Sequence, residues 1–157
     1  MPDPVYTDDA TIGRDAILLR RVLVRINTTI RWDEEAEIWR PTSAAFQDSP
    51  DGHPMSVDLL EEWESRGYSA LKTLEGHDDF ALVSITAGVA RENGQIVVRA
   101  PLPPRNGLPE NPAHALVVGL KGPNRQGKKN SRALSLAAQW IVAPPVAPPS
   151  DSSRSSE

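Results

Sequence analysis

Apolar residues in this sequence come in short runs, and each run is closed by a proline, a glycine or a cluster of charges. AILLRRVLVRI, TSAAF, FALVSITAGVA, AHALVVGL and SRALSLAAQWIV are the main ones. The breaks between them include Ser-Pro, Asp-Gly and Asn-Gly pairs, which turn a chain rather than extend an element. A chain cut this way can build only short strands and short helices around a modest core. Its 157 residues fit one domain.

The runs differ in period. In AILLRRVLVRI, Val22, Val24 and Ile26 alternate, which predicts a strand. On that strand Arg20 shares the face of Val22 and Val24, and Arg21 takes the opposite face. NTTIRWDEEAEIWR admits a short helix capped by Asp33 or an irregular loop. Pro41 disfavours helix at Arg40, so a loop is expected. TSAAF reads as a short strand and QDSPDGHP as a turn-rich loop. A helix is expected from Ser56 or Asp58, with Leu59, Leu60 and Trp63 on one face and Gly67 as its stop. FALVSITAGVARENGQIVVRAP reads as a hairpin turned at Asn93-Gly94. LPPRNGLPENP is a proline-rich loop, AHALVVGL a strand and KGPNRQGKKN a basic loop. SRALSLAAQWIV closes the order as a helix capped by Asn130 or Ser131. The sum is a small α+β domain over residues 15–143, with a mostly antiparallel sheet and two helices. Residues 1–14 read as a flexible N-terminus and 144–157 as a disordered proline- and serine-rich tail.

A formal net charge of -4 argues against nucleic acid or an anionic membrane as a partner through overall charge. Aromatic residues at 5% leave no platform for stacking bases. The absence of cysteine excludes disulfides and thiolate metal sites. No apolar run approaches the roughly 20 residues of a membrane span, and MPDPVYTDDATIG lacks the basic-then-apolar pattern of a signal. The expectation is a soluble, cytoplasmic protein with no cofactor and no metal, a protein partner, and room for a small anionic ligand. Trp63 and Trp140 read as core. Trp32 and Trp39 flank an acidic segment and are expected to be partly exposed.

Several motifs suggest chemistry. GPNRQGKK, from Gly122 to Lys129, nearly has the spacing of a phosphate loop. Lys129 stands where that loop needs a hydroxyl for magnesium, and no later strand follows to carry a magnesium-binding Asp. What survives is an anion-binding loop using Arg125, Lys128 and Lys129. His53, His77 and His114 show no metalloprotease spacing. His114 opens a strand after a proline-closed loop, where it could move a proton or anchor the loop by bonding a carbonyl. Arg20 and Arg21 interrupt an apolar strand, and an arginine there takes a carboxylate or a ligand phosphate. Asp48, Asp58 and Glu92 are the candidate partners. Ser43 has no G-x-S-x-G elbow around it, so its hydroxyl and that of Thr42 read first as turn or strand partners.

Taken together, RRVLV, RPTSAAFQD, MSVDLL, ALVSITAGVAREN and NPAHALVVGLK resemble a family of small uncharacterised bacterial proteins. Those share a basic strand, an RP-S/T-S-x-AF segment, an SVD-type helix start and an ENPAHA-V-G segment. The resemblance covers most of residues 18–142 and implies no activity to carry over. It implies that Arg21, Arg40, Ser43, Asp58 and His114 belong together as binding residues. Arg21 with Thr42-Ser43 also looks similar, in order, to the early strand and hydroxyl segment of small NAD-consuming ADP-ribosyl-transfer folds. The expected function is a binding or accessory module with a polar groove built from Arg21, Arg40, Ser43 and His114. One alternative is a small transferase or hydrolase on that groove, with His114 and Ser43 as catalytic candidates. The other is a structural partner subunit.

Overall fold

β1 (Ile17–Leu23), β4 (Met55–Leu59), β5 (Phe80–Thr86), β6 (Ile96–Arg99), β7 (His114–Val118) and β8 (Gln139–Val142) form one antiparallel sheet in the order β6-β7-β4-β1-β5-β8. A separate hairpin joins β2 (Ile30–Asp33) to β3 (Ile38–Pro41). The helices are α1 (Leu60–Ser65), α2 (Ala87–Glu92) and α3 (Arg125–Ala137). Single 3-10 turns cover Ser43–Ala45 and Ala70–Leu74. These positions come from a computed structural model, which describes residues 5–49, 51–120 and 125–149. The α+β class and the antiparallel sheet expected from the sequence are both present.

Alternation along the strands gives the sheet two buried faces. On one, Leu18, Val22, Val57, Val83 and Val117 pack with Ile30 and Trp39 of the hairpin, Phe46 and Leu134 of α3. On the other, Leu19 and Leu82 pack with Trp63 of α1 and, at its margin, Ala70 and Leu74. The two neighbouring arginines of β1 therefore emerge on opposite faces, as the alternation predicts.

Several segments differ from their sequence reading. The loop expected over 27–40 is the β2–β3 hairpin. Trp32 and Trp39 pair across it, ring centroids 5.2 Å apart and edge to face. Its turn is held by the Asp33 carboxylate, which accepts from the Glu35 and Ala36 amides. Trp39 is consequently buried, not partly exposed, and Trp32 is half-buried. TSAAF is a 3-10 turn, not a strand. Ser56 and Asp58 are not helix caps. They sit in β4, and the helix begins only at Leu60.

The hairpin expected around Asn93-Gly94 is instead β5, α2 and β6, with β5 and β6 on opposite sides of the sheet. Thr86 caps α2 by accepting from the Val89 amide, and Ala87 and Ala90 are buried beneath it. Asn93-Gly94 still turns the chain, but it ends a helix, with Gly94 at a φ of 86°. At the other end of the chain, α3 starts earlier than expected and stops at Ala137, and QWIV is edge strand β8.

Both ends are more anchored than their composition implies. Ile12 is buried, and the Asp8 carboxylate accepts from the Val97 amide and the Arg91 guanidinium. These contacts cover the outer edge of β6. At the C-terminal side Pro144 is buried and Val146 packs against the core, its carbonyl accepting from the Trp39 indole at 3.2 Å. The rest of the expected tail, residues 150–157, lies outside the described residues.

Candidate functional site

The described residues carry two polar regions, one inside the sheet and one on the surface. The first exists because β1 and β4 part company. They pair only at Leu18↔Leu59 and Leu19↔Asp58, while β1 runs on along β5 to Leu23. Arg20 bridges the opening gap. Its Nη1 donates to the Ser56 carbonyl of β4 at 2.9 Å, and its Nε to the Ala45 carbonyl at 3.1 Å. Burial holds the Arg20 guanidinium down at about 10. The like charge of Arg21 acts in the same direction, and Asp48 partly offsets both. It stays charged at neutral pH.

On the opposite face Asp58 is 3% exposed. Its Oδ2 accepts from Trp63 Nε1 at 3.1 Å and Thr73 Oγ1 at 2.9 Å, and its Oδ1 accepts from Asn111 Nδ2 at 3.0 Å. Three neutral donors thus satisfy one buried carboxylate. Arg21 lies on the same side, donating Nη1 to the Thr73 carbonyl at 3.1 Å. Burial lowers its pKa, and Asp58 raises it in part. Among the described residues, no carboxylate comes within salt-bridge distance of Arg20 or Arg21.

His114, paired with Asp58 across β4 and β7, completes this region. Its Nδ1 lies 2.8 Å from the Ala100 carbonyl and its Nε2 3.1 Å from Ser56 Oγ. Leu19, Arg20, Arg21, Ser56, Asp58 and His114 are among the residues lining a cavity of about 20 Å³, the room of a single water molecule. A wider cleft of about 290 Å³ adjoins it. That cleft shares Arg20 and Arg21 and adds Thr29, His77 and Phe80. Burial and the nearby Arg21 charge lower the His77 pKa, with Asp58 acting weakly the other way.

The second region is a trough between the β2–β3 hairpin and α3. A cavity of about 400 Å³ is lined by Arg31, Trp32, Asp33, Arg40, Ser43 and Arg132, among others. One of about 310 Å³ shares Arg40, Pro41, Ser135 and Leu136 with it and adds Ile38, Trp39 and Trp140. Arg40 is paired with Asp33 across the hairpin turn. That pairing, the Glu35 and Ala36 amides and the Arg40 charge all hold the Asp33 carboxyl below its usual range.

The groove expected from Arg21, Arg40, Ser43 and His114 is therefore divided. Arg21, Asp58 and His114 meet in the sheet, and Arg40 and Ser43 meet in the trough. His114 contacts Ser56, not Ser43, and both its ring nitrogens are taken by the fold. Lys128 and Lys129 are exposed on α3 and not in a loop before it. Arg125 opens that helix, and its side chain lies outside the described residues, as does the Gly122 end of the loop.

Sequence reasoning missed Thr73, Trp63 and Asn111 as partners of Asp58. Trp63 had been singled out only as core, although it lies five residues from Asp58, and Asn111 stands three residues before His114. The described residues contain no group of three or more metal-ligand side chains and no helix long and apolar enough to cross a membrane. No family model, curated protein or solved structure matches the chain.

Proposed function

We propose that this chain is a protein-binding module whose recognition surface is the trough between the β2–β3 hairpin and α3. The supporting observation is the make-up of that trough. Arg31, Arg40 and Arg132 line it against the single acid Asp33, on a chain whose net charge is -4. Apolar anchors lie beside the charges: Leu136 is 74% exposed and Ile38 42% exposed. On α3, Lys128, Arg132 and Leu136 follow one another at four-residue spacing, so one helical stripe presents two cations and an apolar side chain.

A surface of this kind fits a peptide segment that alternates acidic and apolar residues. Arginine charges steer and orient such a segment, and the apolar anchors hold it. Selection of peptides from a random library displayed on phage tests the reading. The expected winners carry acidic residues around a large apolar one and lose binding to the Arg132→Glu and Leu136→Ser variants. Winners without acidic residues, or winners indifferent to both substitutions, would overturn it.

A further inference from the structure

We propose that the gap between β1 and β4 is a second, separate site, which binds an oxyanion: sulfate, phosphate or the headgroup of a phosphomonoester. Arg21 is its principal ligand, with the remaining donors of Arg20 and the His77 ring at its mouth.

Two adjacent arginines, both half-buried, line the same small cavity and the same adjoining cleft. Each loses hydration there, and Arg20 also feels the like charge of Arg21. Such an arrangement is ordinarily offset by a carboxylate. Asp58 has both oxygens engaged by Trp63, Thr73 and Asn111 and makes no ion pair with either arginine, and Asp48 offsets the losses at Arg20 only in part. Glu92, another candidate from the sequence, pairs with Arg14.

Donor geometry points the same way. Arg20 uses Nε and Nη1 on two carbonyls, and Arg21 uses Nη1 on one. Nη2 of Arg20, and Nε and Nη2 of Arg21, make no hydrogen bond to a described residue. Planar forks with adjacent free N–H groups match the paired oxygens of a tetrahedral oxyanion. The inner cavity admits one water-sized group, while the outer cleft is open. An anion therefore seats its oxygens against the arginines, and any organic remainder points outward past His77 and Phe80.

The test is titration of the full chain with sodium sulfate, inorganic phosphate and phenyl phosphate, each against sodium chloride at equal ionic strength. Calorimetry reads affinity, and the arginine Nε–Hε resonances read location. The expected result is saturable binding that shifts the Arg21 resonance most. Arg21→Met should lower affinity about tenfold or more, the loss of one charged hydrogen-bonding group. Arg21→Lys should keep part of it, and Arg105→Gln, on an exposed loop, should keep all of it.

Phenyl phosphate binding more tightly than inorganic phosphate would identify an esterified ligand. The reverse would identify the free ion, and either fits the site. No difference from chloride would overturn the proposal, as would unchanged affinity in Arg21→Met. Should that variant fail to fold, the wild-type spectrum decides. Largest shifts at Arg31, Arg40 or Arg132 would place the anion in the trough and overturn the site in the sheet.

Discussion

The Trp63 indole donates its Nε1–H to Asp58 Oδ2 at 3.1 Å, and both side chains are buried. The bond ties the first helix to the strand that leads into it, and Thr73 and Asn111 bring two loops to the same carboxylate. Asp58→Ala leaves the Thr73 hydroxyl and the Asn111 amide without their acceptor inside the protein, and the indole N–H with Thr73 Oγ1 alone, at 3.0 Å. The expected loss is about 3 kcal/mol of folding stability, read from urea unfolding. Asp58→Asn keeps one oxygen and should lose less. Equal, negligible losses in both variants would show that water replaces the carboxylate.

Arg20 does a similar job across the sheet gap. Strands β1 and β4 stop pairing after Leu19, so the Ser56 carbonyl depends on a side chain for its donor. Arg20→Met retains the aliphatic stem but removes donors from both Ser56 and Ala45. A loss of about 2 kcal/mol is expected. Faster hydrogen exchange should appear along β4 and around Ala45. An unchanged exchange pattern would remove Arg20 from its bridging role.

These residues explain which parts of the molecule were legible in the sequence. β7 announced itself because one apolar side chain in two faces the core, while β1, with Leu18 and Leu19 buried on opposite faces, was found through an alternation at Val22, Val24 and Ile26 that runs past its end at Leu23. β4 did not announce itself. Leu59, Leu60 and Trp63 have helical spacing across the junction, no breaker marks the change from strand to helix, and Ser56 and Asp58 look like caps. Their polarity serves buried contacts to Thr73, Asn111 and His114, which are remote in sequence. Likewise Asn93-Gly94 signals a turn without saying what it ends. The meeting of Arg21, Asp58 and His114 follows from the order β7-β4-β1, a tertiary fact that local pattern does not contain. Arg40 and Ser43 fell apart from them because the segment read as a loop is a hairpin that, with the 3-10 turn after it, lines a trough beside α3 instead.

His114 offers a test that does not depend on stability. A carbonyl can only accept, so the contact of Nδ1 with Ala100 assigns the proton of the neutral ring to Nδ1. Nε2 then accepts from the Ser56 hydroxyl. Nitrogen chemical shifts of the neutral imidazole should report the Nδ1–H tautomer, the minor form of free histidine. Ser56→Ala should leave that tautomer in place, because the carbonyl fixes it. Finding the Nε2–H form would reverse the assignment and leave the Ala100 contact unexplained.

The pH behaviour of His77 joins the sheet gap to a measurable number. Burial, first, and the Arg21 charge, second, lower its pKa from the ordinary value, against a smaller opposite pull from Asp58. Arg20 lines the same cleft, and the Phe80 ring stands edge-on to the imidazole with centroids 5.2 Å apart. Asp78 and Asp79 follow in the chain and are exposed. Because the folded pKa is the lower one, the unfolded chain takes up this proton first as pH falls. His77 therefore costs stability progressively from about 6.5, the ordinary histidine value, down to its lowered folded value, and no further below it. Arg21→Met removes the second cause and leaves burial in place, so the His77 pKa, followed by proton NMR, should rise without reaching the ordinary value. The acid loss of stability in that window should shrink with it. Sulfate stays doubly charged through this range, so binding in the gap should raise the His77 pKa of the wild-type protein and do so far less in Arg21→Met. A His77 titration that ignores sulfate in the wild type would separate this histidine from the proposed anion, even if sulfate binds elsewhere on the molecule.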